Sequence, residues 1–268
     1  MNILVNFYIF IFYTSLVLIC YCILGFFITD KPLISVSFVS EVRQNLILAS
    51  WIIILFYFCY RLYIDNEMNN TPTIKYKNLY KNVKTGDLII YRWNTVDVGF
   101  RMFSKFSHVG MIVKKNKKLY LLETHPDENT NKKDKKSNDG VHLYLLKNRI
   151  EDYDGECFIA KLNPKYDTKY ITNNIINNLK EYKKIPFDAS FRDLFVYNYL
   201  KNLITPFDVT VPNKESMFCS EFIGHILYKT DIYRHDKNLA SLNPGSFLDL
   251  KNNNNEQLYN YLKKVVWE

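Results

Sequence analysis

Two long apolar runs occupy the first quarter of the chain. Residues 3–28 contain no charged residue, and residues 46–64 are nearly as apolar, with tyrosines and Arg61 toward their end. Roughly 20 apolar residues of helix cross a bilayer core, and aromatic and cationic side chains favour its interfaces. The pattern therefore predicts two membrane helices, at about 3–28 and 46–64, within a membrane anchor over residues 1–64.

The residues beside these runs predict how the anchor is retained and oriented. The first run lacks the basic start and the small-residue cleavage site of a signal peptide. Basic residues are denser after the second run than in the 29–45 loop, which places the rest of the chain in the cytosol. A glycosylation triplet beginning at Asn69 favours the opposite orientation. We expect a two-pass integral membrane protein whose large C-terminal part is cytosolic.

A polar linker at 65–82 is followed by patterns typical of short strands. TGDLIIYRW reads as a turn and a buried strand, and apolar runs near 107–114 and 118–124 flank a short Lys/Asn turn. Two such runs around a short turn predict a β-hairpin. GVHLYLL and ECFIAKL predict two further strands, separated from the hairpin by a charged loop at 126–139.

Helical spacing appears later in the chain. Apolar residues over 168–183 recur with a period near 3.6, and a second apolar stripe begins at about Cys219, where Glu215 and Ser216 are placed to start the helix. Strands that come first and helices that follow predict an α+β domain over residues 83–268, with an antiparallel sheet and packed helices.

Composition narrows the functional classes. The formal net charge is +8, much of it in Lys/Asn-rich runs such as KKNKK, which are more typical of solvated loops than of a nucleic-acid surface. The five cysteines form neither a disulfide framework nor a metal-binding spacing. No nucleotide or flavin motif is present. We therefore expect no cofactor, no metal and no nucleic-acid partner, with the lipid bilayer as one partner.

Cys219 is the first candidate for chemistry. A thiol attacks as the thiolate, which is favoured near a helix N-terminus or an imidazolium. Cys219 falls in the first turn of the predicted helix rather than in the middle of its apolar stripe. Taken alone, this position is still compatible with a cysteine that is buried as a small hydrophobic residue.

His108 is the second candidate, because it interrupts an otherwise apolar strand. Alternation places it on one strand face with Gly110, which we expect to leave space beside the ring. Residues paired across a hairpin share a face, so the returning strand brings Glu123 or His125 to the imidazole, depending on register. A nucleophile, a base and a group to orient the base are thus present.

The order of these segments resembles a known family. TGDLIIYR, SHVGMIV, LLET, GVHLYLL, PFDASF, FCSEFIGHIL and SLNPGSFLDL occur in that order over roughly residues 83–250. This arrangement is similar to the NlpC-type circularly permuted papain-like fold superfamily. The most similar branch is the YiiX/YaeF-type amidase group with its poxvirus relatives, and lecithin retinol acyltransferases are more distant. The pair SHVG and FCSEF, in this order, carries most of the specificity.

The resemblance implies roles for three residues. Cys219 matches the nucleophile, His108 the general base, and Glu123, in place of His125, the group that orients the base. We therefore expect a thiol amidase or peptidase, or a lipid acyl hydrolase or transferase, that cleaves an amide or ester bond through an acyl-enzyme.

Two alternatives concern the substrate, and a further one concerns whether the protein is an enzyme. The substrate is either a peptide-like amide or an acyl lipid, and the second fits a membrane anchor. The alternative to an enzyme is a catalytically silent membrane protein that keeps the fold as a binding or structural module. The Lys, Asn, Ile and Tyr bias suggests an AT-rich genome, such as that of a large DNA virus.

Overall fold

The computed structural model describes residues 36–93, 105–125, 140–187, 216–233, 239, 242–252 and 254–267. Those up to Asn70 belong to one compact unit, and those from Thr71 onward belong to a second.

The first unit contains a single described helix, α1, which spans Val36–Asn69 over 34 residues. An ion pair of 3.3 Å between Arg61 and Asp65 links successive turns near its end. The predicted membrane helix at 46–64 lies inside α1, whereas the one at 3–28 lies outside the described residues. Within the described part of the chain, no helix combines the length and the apolar character that crossing a membrane requires.

The second unit is built on a mixed β-sheet. Its seven described strands have the order β1–β7–β6–β2–β3–β4–β5. Their bounds are β1 Thr73–Lys75, β2 Leu88–Trp93, β3 His108–Lys115, β4 Lys118–His125, β5 Gly140–Leu145, β6 Gly155–Leu162 and β7 Tyr259–Val266. β1 runs parallel to β7, and every other neighbouring pair is antiparallel.

The β3–β4 hairpin is tight because its two turn residues adopt left-handed backbone angles. Asn116 has φ of 51° and Lys117 has φ of 59°. Positive φ at both central residues is the geometry of a type I′ turn, which matches the twist of the flanking strands. The turn fixes the register, in which Ile112 pairs with Leu121. The predicted hairpin is confirmed.

The structure describes five α-helices, of which α1 belongs to the first unit and the other four belong to the second. After α1 they are α2 Tyr76–Asn82, α3 Leu146–Glu151, α4 Thr168–Tyr182 and α5 Cys219–Lys229, with a 3₁₀ turn at Pro244–Leu248. α5 lies against β3 and β4, and α4 lies against β3.

A hydrophobic core joins one sheet face to α2 and α3. Its strand members include Ile89, Ile112 and Leu121, and the helices contribute Leu79 from α2 and Leu146 and Ile150 from α3. This is also the face of His108, since alternation along β3 places Ile112 and His108 on the same side.

The TGD turn ties the start of β2 to β6. The Asp87 carboxylate is fully buried and accepts hydrogen bonds from the Leu162 N–H (2.9 Å) and the Lys84 N–H (3.0 Å). The Lys161 ammonium lies 2.8 Å from it. A buried carboxylate needs such partners, so the Asp of this motif serves the fold.

The α+β class and the predicted strands are confirmed, but the sheet predicted as antiparallel is mixed, because β1 runs parallel to β7. Four elements were not expected. The 65–82 stretch, predicted as a linker, contains the end of α1, then β1 and α2. The short helix α3 and the strand β7 are also additional. Two lysines interrupt the apolar pattern of β7, and Lys264 forms a 2.5 Å ion pair with Glu156 on β6. This pairing joins segments that are distant in the sequence, so the pattern of apolar and polar residues within β7 does not predict it.

Candidate active site

Cys219 is the first residue of α5, as its place in the first turn of the predicted helix requires. The predicted start at Glu215 and Ser216 is wrong, because Phe218 is the N-cap and its side chain makes no capping bond. Met217 just before it is held in extended backbone, donating its N–H to the Pro186 carbonyl at 3.1 Å. The backbone N–H groups at the N-terminus of a helix such as α5 favour a nearby negative charge.

The neighbouring serine is committed to the fold. The Ser220 hydroxyl donates a 2.6 Å hydrogen bond to the Leu242 carbonyl and is buried. This bond fixes the start of α5 against the segment that follows it. Of these two adjacent side chains, only the Cys219 thiol is therefore available as a nucleophile.

His108 is the first residue of β3, and neighbouring strand β2 holds it in place. It pairs with Tyr91 in register, and the two rings lie 5.4 Å apart between centroids. The adjacent Ser107 donates both its N–H (2.8 Å) and its hydroxyl (3.1 Å) to the Tyr91 carbonyl. The imidazole is therefore buried and anchored from its own backbone.

The expected open space at Gly110 is absent. A Cβ at Gly110 would lie 2.9 Å from Cγ of Leu121, so the leucine side chain already fills this position. The glycine serves close packing between β3 and β4 on the face of His108. Sequence alternation located the face correctly but gave no information about the size of the neighbour across the hairpin.

Glu123 is the group that contacts the imidazole. Its side chain is fully buried, and its Oε2 lies 2.9 Å from Nε2 of His108. The register of Leu121 opposite Ile112 brings Glu123 to the same sheet face. His125 pairs through its backbone with Gly140, and its side chain lies outside the described residues.

His108 also interacts with Cys219. Burial lowers the pKa of His108, but the charge and hydrogen bond of Cys219, followed by those of Glu123, raise it from 6.5 to about 10. A carboxylate only accepts hydrogen bonds, so Nε2 carries a proton toward Glu123. Nδ1 is then the ring nitrogen available to Cys219. The three predicted residues thus lie together, with the histidine in the middle.

A fourth residue, Arg149 on α3, was missed at the sequence level. Its Nε lies 2.5 Å from Oε1 of Glu123, and its guanidinium lies 5.8 Å from the Tyr91 ring centroid and 5.9 Å from that of Tyr144. The signal was weak: two apolar residues four apart, Leu146 and Ile150, flank it in a short helix.

Cys157 borders the same cluster but has different surroundings. It lies in β6, directly opposite Tyr91 on β2. Burial raises the pKa of Cys157 to about 12; Arg149 opposes this increase, and Glu123 and Glu156 add to it. Such a thiol stays protonated and unreactive at neutral pH.

Metal ligands and disulfides do not appear in the described part of the chain. No group of three or more His, Cys, Asp or Glu residues there is placed to hold a metal ion. The described cysteines, Cys59, Cys157 and Cys219, are all free thiols.

Comparisons with known proteins add two similarities. No protein-family model matches the sequence. The chain is 25% identical over 185 residues to an uncharacterized protein of Acanthamoeba polyphaga mimivirus, covering 59% of this chain and 71% of that protein. Among solved structures it is similar to the metalloprotein yiiX from Escherichia coli, with 16% identity and a TM-score of 0.38, over 68% of this chain and 88% of that one. Neither similarity assigns the chain to a family, and membership of the NlpC-type superfamily stays a prediction.

Proposed function

We propose that the protein is a cysteine hydrolase or acyltransferase that cleaves an amide or ester bond through an acyl-enzyme. The observation that carries the proposal is the buried His108, which contacts Glu123 through Nε2 and interacts with Cys219 at the start of a helix. A thiol, a base and an anionic group that orients the base form the constellation of thiol acyl transfer.

The chemistry follows from these positions. Nδ1 of His108 takes the thiol proton, which leaves an imidazolium beside the thiolate, and the Cys219 sulfur attacks the substrate carbonyl carbon. The carbonyl π electrons move to oxygen, where N–H groups at the start of α5 stabilise the negative charge. When the carbonyl re-forms, the carbon–nitrogen or carbon–oxygen bond breaks and His108 protonates the leaving amine or alcohol. Water or a second acceptor then repeats the sequence and releases the acyl group.

Glu123 orients the base rather than reacting with the substrate. Because it accepts a hydrogen bond from Nε2, it leaves Nδ1 unprotonated in the neutral ring, as proton transfer from the thiol requires. It also stabilises the imidazolium that forms after this transfer. A positioned base of this kind contributes about 10²- to 10⁴-fold to the rate.

Membrane attachment is part of the proposal. Residues 1–64 would anchor the chain, with the catalytic domain in the cytosol. Support comes from α1, where Leu48, Trp51, Ile52 and Leu55 are exposed and follow the spacing of one helix face. Large apolar side chains exposed along one face are typical of a surface that contacts lipid or another protein.

An acyl lipid is the substrate class we favour over a peptide-like amide, because an anchored domain meets its substrate at the bilayer surface. Release of free fatty acid from phospholipid vesicles by the full-length protein would support a lipid substrate. Cleavage confined to short peptide amides would identify a peptidase instead.

Two variants test the chemistry with a matched pair of buried thiols. Full-length wild type, Cys219→Ala and Cys157→Ala are incubated with phospholipid vesicles, peptide amides and an activated ester, with and without a chelator. We expect turnover by wild type and Cys157→Ala, insensitive to the chelator, and none by Cys219→Ala. Equal turnover by both variants would exclude Cys219 as the nucleophile, and absence of turnover in all samples would favour the silent module.

A further inference from the structure

We infer that Arg149 is a positioning residue that keeps Glu123 ionised and thereby fixes the proton on the correct nitrogen of His108. The inference rests on the proposed function, and it assigns a task to a residue that contacts neither the thiol nor the carbonyl under attack.

The contacts divide the Glu123 carboxylate between two partners. Oε2 lies 2.9 Å from Nε2 of His108, and Oε1 lies 2.5 Å from Nε of Arg149. The carboxylate side chain has no exposed surface, whereas one fifth of the Arg149 side chain is exposed. The guanidinium therefore lies between the buried acid and the protein surface.

A carboxylate buried in this way needs a permanent positive charge. Removal from water destabilises the ionised form, and an adjacent cation restores it. His108 is not a permanent cation, because its proton moves during the reaction. Arg149 stays charged throughout, since the charge and hydrogen bond of Glu123 outweigh burial and keep its pKa above the ordinary value.

The protonation of Glu123 decides which nitrogen of His108 acts as the base. An ionised carboxylate accepts a hydrogen bond from Nε2 and leaves Nδ1 to take a proton from Cys219. A protonated carboxyl would instead donate its O–H to Nε2, which places the ring proton on Nδ1. The neutral ring would then offer no acceptor to the thiol, the same defect that an amide in place of a triad carboxylate produces.

The fold holds Arg149 in this position. α3 begins directly after β5, which pairs with the Glu123 strand, and the flanking Leu146 and Ile150 are fixed in the core. The guanidinium also lies over the rings of Tyr91 and Tyr144, at distances where a cation is attracted to an aromatic face. The arginine is thus oriented by packing as well as by its ion pair.

Several titratable groups approach Glu123 from the surrounding elements, and a pH experiment must take them into account. They are Tyr91 on β2, His108 on β3, His142 on β5, Arg149 on α3 and Cys157 on β6, with Cys219 on α5 beyond His108. Burial raises the pKa of both Tyr91 and Cys157, so neither changes charge near neutral pH. The variant His142→Gln serves as the control for a contribution of His142 to the pH profile.

The test measures alkylation of Cys219 by iodoacetamide as a function of pH, with each cysteine resolved by mass spectrometry. Full-length wild type is compared with Arg149→Met, Arg149→Lys and Arg92→Met. Arg92 is the matched control, because it is another buried arginine that forms an ion pair with a carboxylate, in this case Glu156 at 2.8 Å.

We expect Arg149→Met to react about tenfold more slowly than wild type near neutral pH and to recover as the pH rises, because Glu123 ionises again. Arg149→Lys should restore most of the rate, and Arg92→Met should follow the wild-type profile. A slowing by the same factor at every pH, or no change, would overturn the inference. If Arg149→Met does not fold, Arg149→Gln replaces it with the same expectation.

A second readout follows the tautomer itself. In ¹⁵N spectra of histidine-labelled protein, wild type should show the neutral His108 ring, which forms as the pH rises above about 10, protonated on Nε2. In Arg149→Met, His108 should lose its charge at a lower pH, and its neutral ring should carry the proton on Nδ1 while Glu123 is protonated. Slow alkylation of Cys219 in wild type would count against the proposed function. A reactive wild type with an unchanged Arg149 variant would count against this inference alone.

Discussion

Two buried cysteines in the same domain have opposite chemical surroundings. Cys157 is 4% exposed and Cys219 is 8% exposed, so solvent access does not distinguish them. Cys157 lies within a strand, where burial and nearby carboxylates raise the pKa of its thiol to about 12. Cys219 begins a helix and interacts with the imidazole of His108.

Burial is the largest cause of the raised pKa of Cys157, but the two thiols are similarly exposed, so the imidazole beside Cys219 is the feature that distinguishes them. Glu123 raises the pKa of Cys157, and it also raises the pKa of His108. The same carboxylate therefore disfavours a thiolate at one cysteine and favours an imidazolium beside the other. The position of the histidine between Glu123 and Cys219 separates the two outcomes.

Replacing Glu123 should remove most of the difference between the cysteines. Glu123→Gln keeps the size of the side chain but loses its charge. The variant therefore stabilises neither the charged His108 ring nor the neutral tautomer that carries its proton on Nε2. We expect turnover to fall by roughly 10²- to 10⁴-fold, measured on the substrate that wild type cleaves.

The control for this variant is Glu156→Gln, which removes a carboxylate from the Arg92 and Lys264 ion pairs on the other side of β6. Its turnover should stay near wild type after correction for the folded fraction. Equal losses in the two variants would mean that Glu123 acts only through stability.

The titration of His108 tests the pairing with Cys219. Its pKa of about 10 lies above the ordinary 6.5, so the charged ring persists through neutral pH and loses its proton as the pH rises through about 10. Cys219→Ala removes the largest cause that raises this pKa, and the value should fall toward 6.5. Histidine NMR titration measures both proteins.

The same shift has a consequence for stability. Because the folded-state pKa is raised, the stabilisation from the charged ring is fully present below about 6.5 and is lost as the pH rises toward 10.

The control for the titration is Cys157→Ala, which should leave the His108 titration in place. A His108 that titrates near 6.5 in wild type would contradict the paired arrangement.

Ser220→Ala should give the smallest effect and separate structure from chemistry beside Cys219. Loss of its hydrogen bond to the Leu242 carbonyl should reduce the free energy of unfolding by about 1 kcal/mol, measured by urea denaturation. Turnover by the folded protein should not change. A large loss of turnover with unchanged stability would give the hydroxyl a role in catalysis.

Local pattern predicted those parts of the molecule whose signals are contained in short segments. Alternation and turn residues predicted β2, the β3–β4 hairpin, β5 and β6, and 3.6-residue spacing predicted the helices at 168–183 and after Cys219. The face of His108 also followed from alternation. The choice between Glu123 and His125 required the register, and sequence reasoning reached Glu123 only through the family resemblance.

Contacts between distant segments could not be predicted in this way. Arg149 reaches Glu123 because β5 and α3 pack beside β4, and nothing in the local sequence of α3 specifies that partner. Lys264 in β7 pairs with Glu156, which is 108 residues earlier, so the sequence around Lys264 does not indicate its partner. The filling of the Gly110 position by Leu121 likewise depends on side-chain packing across the hairpin.

Simultaneous alkylation of the two buried cysteines in folded, full-length wild type tests the central claim most directly. Iodoacetamide is added at neutral pH, and the extent of modification at Cys219 and Cys157 is read from the same sample by mass spectrometry. We predict that Cys219 is modified first and that Cys157 is modified only after denaturation. Equal rates at the two thiols, or faster modification of Cys157, would contradict it.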